Sequence, residues 1–115
     1  MSPKSPAEVV ASYFDAIRRR DSQRMREVFA SSGELVTPAG TFIGPDAIAG
    51  FYEDSVFVFD DLEPNPGPIV ADGGRVAVEI ELRMGGYLTE VADVFTIEDE
   101  KITRLAIYLG LSHEA

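Results

Sequence analysis

The sequence contains no cysteine and no tryptophan, and its single histidine, His113, lies close to its end. Without cysteine the chain has no disulfide, thiolate metal site, iron–sulfur cluster or thiol nucleophile. One histidine is too few for a histidine-based metal cage, and we do not expect a serine–histidine catalytic triad. The two Gly-Gly pairs fall in predicted turns and form no glycine-rich phosphate loop. We therefore expect neither a metal nor a cofactor.

Basic residues are also scarce, because 10 Lys and Arg stand against 20 Asp and Glu, for a net charge of −10. Such a charge repels phosphate backbones and anionic lipid, so neither nucleic acid nor a membrane is an expected partner. No apolar run reaches the length of a membrane span or a signal peptide. We expect a cytoplasmic protein with a single domain over residues 1–115.

The first part of the chain predicts three helices. Ser5, Pro6 and Glu8 form the start of the first, as N-cap, first helical residue and partner of a capping box. Its inward face, at spacings of three and four, consists of Val9, Val10, Tyr13, Phe14 and Ile17. Asp21 is predicted to cap a second, short helix, which Gly33 ends, and the inward residues of that helix are Met25, Val28 and Phe29. The arginines at 18–20 are interpreted as solvated cations that complement the helix dipole.

A short strand, Glu34–Thr37, is predicted to stop at Pro38, and a second extended piece surrounds Phe42. The residues at 44–46 then open the third helix, whose apolar stripe is Ile48, Phe51, Tyr52 and Val56. Three prolines and three acidic residues make 60–68 a loop or an irregular edge. Asp60, Asp61 and Glu63 lack the spacing of a calcium loop and are expected to solvate this segment.

The remainder of the chain has the alternating pattern of strands, predicted at Ile69–Ala71, Arg75–Met84, Tyr87–Ile97 and Ile102–Leu109. Acidic or glycine-rich turns separate them. Helices followed by an antiparallel meander indicate an α+β fold.

Asp93 is the most informative side chain, because period-two alternation places it on a mainly apolar face with Val91 and Phe95. A carboxyl group there must be paired, hydrogen-bonded or protonated. Tyr13 and Tyr52 point inward from the first and third helices, and two phenols and one acid can line a pocket that stabilises an oxyanion. The alternatives are that this strand face is exposed, that Asp93 only holds a loop, and that the tyrosines only pack.

The order of elements resembles the cone-shaped nuclear transport factor 2-like fold, which includes the SnoaL-like proteins, and within it most closely the bacterial ketosteroid isomerases. The segment Ala11-Ser12-Tyr13 is similar to the family's helix with the oxyanion-binding tyrosine. Gly50-Phe51-Tyr52 is similar to the helix whose tyrosine supports the first. Ala92-Asp93-Val94-Phe95 resembles the strand that carries a protonated aspartic acid. The resemblance implies three helices packed in a curved, mainly antiparallel sheet.

One position departs from that family. Its general base is an aspartate before a proline, where Leu35-Val36-Thr37-Pro38 has Thr37, and a hydroxyl is too weak a base to replace it. The resemblance nevertheless implies a hydrophobic ketone or steroid-like ligand. We expect that ligand to contact the apolar side chains of Phe51, Val91, Phe95, Leu105 and Ile107.

Three hypotheses follow from the resemblance. The first is an isomerase-like protein with Tyr13, Tyr52, Asp93 and Thr37 in its catalytic site. The second is a SnoaL-like cyclase or epoxide-opening enzyme in which Asp93 is the acid and base, and the third is a binding module without chemistry. The apolar outer residues Leu88, Ala92 and Val94 further predict a homodimer.

Overall fold

The computed structural model describes residues 3–115, so Met1 and Ser2 of the predicted domain 1–115 lie outside the described residues. The helices are α1 (Pro6–Arg19), α2 (Ser22–Val28) and α3 (Pro45–Ser55). The strands are β1 (Phe29–Thr37), β2 (Gly40–Ile43), β3 (Glu63–Asp72), β4 (Arg75–Met84), β5 (Tyr87–Glu98) and β6 (Lys101–Glu114). They form one sheet in the order β2-β1-β6-β5-β4-β3, in which only β1 and β6 pair in parallel. The predicted α+β fold, with three helices against a curved and mainly antiparallel sheet, is confirmed.

Helix α1 begins with the capping box that the sequence predicts. The Ser5 hydroxyl accepts a hydrogen bond from the Glu8 amide at 3.2 Å, and the Glu8 carboxylate accepts one from the Ser5 amide at 3.0 Å. The helix buries its stripe of Val9, Val10, Tyr13, Phe14 and Ile17 against the sheet. At its end, Arg20 adopts a left-handed backbone with φ of 51°. The cap therefore turns the chain directly into α2.

The prediction that Phe29 belongs to α2 and that Gly33 ends the helical pair is wrong. Helix α2 ends at Val28, and both residues lie in β1, where Phe29 pairs with Ile102 of β6. A Cβ at Gly33 would lie 2.9 Å from the carbonyl oxygen of Ile102. The glycine is therefore required for the close approach of β1 to β6, in a bulged part of the pairing.

Two other strand boundaries differ from the prediction. Strand β3 begins at Glu63 instead of Ile69 and includes Pro64 and Pro66, which an edge strand tolerates because its outer side forms no ladder. Its pairing with β4 shifts register between Pro66 and Ile69, as expected of an irregular edge. Strand β6 continues beyond Leu109 because its end pairs with the start of β5. His113, predicted to lie in an exposed tail, is exposed but opposite Leu88 within this strand.

The hydrophobic core lies between the helices and one face of the sheet. The inward row of β4 and β5 includes Val76, Val78, Val91, Phe95 and Ile97, all buried. Helix α1 crosses β3, β4 and β5, whereas α3 packs on α2, β1 and β2. The two helices thus leave a space over the middle of the sheet. Among residues 3–115, no helix is long and apolar enough to cross a bilayer.

Candidate functional site

A cavity of about 180 Å³ occupies this space between the helices and the sheet. Its surface is almost wholly apolar, with side chains from β4, β5 and β6 that include Ile80, Leu82, Met84, Val91, Ile107 and Leu109. The polar side chains in its lining are Tyr13, Thr37, Tyr52, Ser55 and Asp93. A small number of polar groups in an apolar cavity is typical of a binding or active site for a small molecule.

Asp93 is the one carboxylate in this lining, and its side chain is only 3% exposed. Strand alternation places it on the inner face of β5, opposite Val78 of β4 and Ile107 of β6. Its Oδ1 atom is buried and has no hydrogen-bond partner among the described residues. Burial in these surroundings raises the pKa of Asp93 to about 7, because the charged form loses its solvation. At neutral pH the carboxyl group therefore exchanges readily between its two protonation states.

The hydroxyl groups of Tyr13 and Tyr52 lie 2.5 Å apart and share a hydrogen bond. Helices α1 and α3 supply one tyrosine each, and both rings are buried. The Tyr13 ring is held edge to face against Phe14 and Phe95, with centroid distances of 5.1 and 5.3 Å. Burial, together with the neighbouring Tyr52 and Asp93, raises the pKa of Tyr13, and burial also raises the pKa of Tyr52. Both phenols therefore stay protonated and act as hydrogen-bond donors.

Thr37 borders the cavity at the end of β1, but its hydroxyl is occupied by the turn between β1 and β2. The Oγ1 atom donates a hydrogen bond to the Gly40 carbonyl oxygen at 3.1 Å and accepts one from the Ala39 amide at 3.0 Å. This is a local side-chain turn of the kind that threonine commonly forms. At the position of the family's base, the chain thus has a hydroxyl that is already used structurally.

The predicted ligand contacts fall into two groups. Phe51, Val91 and Ile107 line the cavity, whereas Phe95 and Leu105 do not. Both of these are fully buried in the core, and Phe95 supports the Tyr13 ring. They share the inward period of their strands, but they pair with each other one inward position beyond the pair of Asp93 and Ile107.

Several lining residues were not identified from the sequence. Leu82 and Met84 continue the inward alternation of β4, so period two could have identified them. Ser55 and Leu62 come from the end of α3 and the segment after it, whereas Val56, predicted in the apolar stripe of the third helix, follows the last residue of α3. No local pattern reveals that this segment folds back over the cavity.

The described residues contain no group of three or more His, Asp or Glu side chains that could hold a metal ion. Among known sequences, the model of the SnoaL-like domain family matches residues 10–105 of the chain. A search of curated proteins gives no significant match.

Solved structures with the same fold are numerous. A candidate polyketide cyclase from Sinorhizobium meliloti is 25% identical, with a TM-score of 0.77 over 87% of this chain and 93% of that one. A candidate ketosteroid isomerase from Kribbella flavida is 16% identical, with a TM-score of 0.83 over 98% and 83% of the two chains. A hypothetical protein with a ketosteroid isomerase-like fold from Catenulispora acidiphila, solved with trimethylamine, is 20% identical, with a TM-score of 0.81 over 94% of this chain and 88% of that one. The chain belongs to the SnoaL-like domain family and has the nuclear transport factor 2-like fold.

Proposed function

We propose that the cavity binds an apolar carbonyl compound and catalyses proton transfer at the carbon next to the carbonyl group. The observation that carries this proposal is Asp93, a buried carboxyl group without a hydrogen-bond partner at Oδ1, in an apolar cavity beside two protonated phenols. Its raised pKa makes it a stronger base than an exposed aspartate and matches its proton affinity to neutral pH.

In the proposed reaction the carbonyl oxygen accepts a hydrogen bond from Tyr13. The Asp93 carboxylate removes a proton from the adjacent carbon, and the electron pair of the broken C–H bond moves to give an enolate. The neutral Asp93 then returns the proton, either to the same carbon or to the γ-carbon of an unsaturated ketone. The second outcome moves the double bond into conjugation, and the net reaction is an isomerisation without any co-reactant.

Tyr13 has the role of oxyanion donor, and Tyr52 the role of its positioning residue. If Tyr52 donates its proton to the Tyr13 oxygen across the 2.5 Å contact, the proton of Tyr13 is free for the ligand. Loss of a single oxyanion donor in enzymes typically lowers kcat by a factor of about 10² to 10³. We expect Tyr13→Phe to have an effect in this range, and Tyr87→Phe, at an exposed tyrosine, to have none.

A second candidate function is an isomerase reaction in which protonated Asp93, together with Tyr13, donates a hydrogen bond to the oxyanion. The burial of Asp93 favours its neutral form, which supports this role. That reaction also needs a separate base to remove the proton. Thr37 does not supply it, because its hydroxyl is hydrogen-bonded within the β1–β2 turn. The pH dependence separates the two: activity rises through about pH 7 if Asp93 is the base, and falls if it is the donor.

The test is the rate of conjugated enone formation from cyclohex-3-enone, a one-ring unsaturated ketone, followed by ultraviolet absorbance. We expect turnover by the wild type and a loss of about 10³-fold or more in Asp93→Asn. The matched control is Asp54→Asn, at an exposed carboxylate on α3, which should keep wild-type activity. Ligand binding without turnover in the wild type would contradict the catalytic proposal and identify a binding module. Turnover that is unchanged in Asp93→Asn would exclude Asp93 from either role.

We further propose that two copies of the chain associate through the outer face of the sheet. Tyr108 lies opposite Ala92 in the β5–β6 register and is 56% exposed, and the half-buried Leu88 and Val94 are on the same face of β5 as Ala92. These apolar groups would lose contact with water in a dimer. A cytoplasmic location also remains a proposal, which cell fractionation would test.

A further inference from the structure

One wall of the cavity is an irregular segment, Val56–Leu62, that connects α3 to β3 and that we name the α3–β3 segment. Its two end residues, Val56 and Leu62, line the cavity. We propose that this segment limits the size of the ligand to about one ring, and that Arg20 and Asp61 are the residues that hold it in place. The inference rests on the cavity being the ligand site proposed above.

Arg20 holds the segment from the side of the helices. Its Nη2 atom donates a hydrogen bond to the Phe59 carbonyl oxygen at 2.7 Å and a longer one to that of Asp60 at 3.4 Å. Its Nε atom donates to the carbonyl oxygen of Phe57 at 3.2 Å. Three carbonyl groups within four residues of a loop without regular structure are thus bound by one planar guanidinium group. Arg20 is the C-cap of α1 and has a left-handed backbone, with φ of 51°.

Asp61 holds the segment from the opposite side, at the turn between β4 and β5. Its two carboxylate oxygens accept hydrogen bonds from the Gly85 and Gly86 amides, both at 2.8 Å. The ring of Phe59 packs against Gly85, where a Cβ would lie 3.2 Å from it. Charge-assisted bonds to two adjacent amides are stronger than neutral ones. The segment is therefore fixed at both ends of its irregular part, to α1 and to the β4–β5 turn.

The cavity beneath this segment is small. Its volume of about 180 Å³ compares with about 150 Å³ for an apolar cavity that binds benzene. Sites for drug-sized molecules span about 300 to 1,000 Å³. A single ring with a carbonyl group fits this volume, whereas a fused-ring ligand exceeds it and, in this proposal, is blocked by the α3–β3 segment. The substrate class is accordingly one-ring or similarly small apolar carbonyl compounds.

Binding of phenol and 2-naphthol, measured by titration calorimetry, tests this inference without relying on turnover. Both probes offer one hydroxyl group to Asp93 and the tyrosines, and they differ by one fused ring. The variants are Arg20→Gly, since glycine suits the left-handed backbone, and Asp61→Asn. Their controls are Arg19→Gln and Asp60→Asn, at exposed side chains outside the two anchors. The amide NMR signals of Gly85 and Gly86 report whether the Asp61 anchor is formed in the wild type and whether it is lost in Asp61→Asn.

We expect the wild type to bind phenol at least about tenfold more tightly than 2-naphthol, a difference of about 1.4 kcal/mol. In each anchor variant that preference should fall at least about fivefold, with little change in the affinity for phenol, and both controls should resemble the wild type. Equal binding of the two probes by the wild type would overturn the inference. An unchanged preference in Asp61→Asn, or unmoved Gly85 and Gly86 signals, would overturn it as well. Failure of the wild type to bind phenol would instead contradict the ligand site itself.

Discussion

The reaction proposed for the cavity depends on a single carboxyl group, that of Asp93. Its side chain is 3% exposed, and its environment is apolar apart from the two phenols and the hydroxyls at the cavity margin. A carboxylate there is costly, because the interior cannot replace its hydration. The result is a group that is neutral in the folded protein at a pH where an exposed aspartate is ionised.

The raised pKa of Asp93 predicts that the folded state loses stability as the pH rises. Between its ordinary value of 3.8 and about 7, the folded chain binds more protons at this group than the unfolded chain does. The stabilising contribution is therefore complete below about pH 4 and is lost as the pH approaches and passes 7. Its full size is on the order of 4 kcal/mol. Urea unfolding of the wild type and of Asp93→Asn from pH 4 to pH 8 measures it.

The difference in the free energy of unfolding between the wild type and Asp93→Asn isolates the contribution of Asp93. Hydrogen bonds lower the pKa of Glu8 and of Asp61, so the folded state loses their stabilising contribution as the pH falls. That loss is the same in the wild type and in Asp93→Asn, and it cancels in the difference between them. We expect Asp93→Asn to gain stability relative to the wild type as the pH rises. A constant difference across this range would show that Asp93 has the pKa of an exposed carboxyl group.

The residues of the cavity differ in how well the sequence identifies them. Tyr13, Tyr52 and Asp93 are found from helical and strand periodicity, because an inward polar group interrupts an otherwise apolar row. Arg20 and Asp61 were interpreted as solvated charges, yet both bind backbone groups far along the chain. Nothing in the local sequence encodes such long-range partners, so their roles became visible only in the fold.

Among the elements, β1 has a close steric restriction at Gly33. An added Cβ would lie 2.9 Å from the Ile102 carbonyl oxygen and 3.0 Å from that of Ala30, and both are backbone atoms that cannot rotate away. We expect Gly33→Ala to lower the free energy of unfolding by about 1 to 3 kcal/mol through this overlap. The measurement is chemical unfolding at a fixed pH.

The matched control for this prediction is Gly50→Ala in α3. A Cβ at Gly50 meets no atom within 4 Å, and alanine is the better helix former by about 0.5 to 1 kcal/mol. The control should therefore be as stable as the wild type or more so. If Gly33→Ala is as stable as the wild type, β1 and β6 are not in the close contact described.

Element type was predictable from periodicity, whereas element boundaries depended on pairing between strands. Phe29 has a helical spacing from Met25, but its backbone joins the ladder with Ile102. Strand β6 extends to Glu114 because the first residues of β5 lie beside it. The order of the elements in the chain nevertheless suffices to indicate the α+β fold.

At the scale of the whole molecule, the outer face of the sheet leads to the prediction of a homodimer. Sedimentation velocity at micromolar concentration should show a species of twice the 12.5 kDa of one chain. Replacing Tyr108 by Glu should shift it toward the monomer, because charge would enter an apolar contact and the chain already carries −10. The control is Tyr87→Glu, at an exposed tyrosine on the inner face of β5. A monomer alone in the wild type would contradict the prediction.

The size of the cavity is also a property of the whole molecule. Its lining comes from α1, α3, the sheet and the two ends of the α3–β3 segment. The sequence alone predicted a hydrophobic ligand, whereas the proposal that this ligand is small depends on the cavity volume. No single element contains this information.

The most direct test of this account is the titration of Asp93 by carboxyl-carbon NMR in ¹³C-labelled protein. The buried, apolar position predicts a midpoint at about pH 7, well separated from the exposed aspartates. Asp93→Asn would identify the signal by its disappearance. A midpoint near 3.8 would contradict the account, since Asp93 would then be an ordinary carboxylate without the proton affinity that the proposed reaction requires.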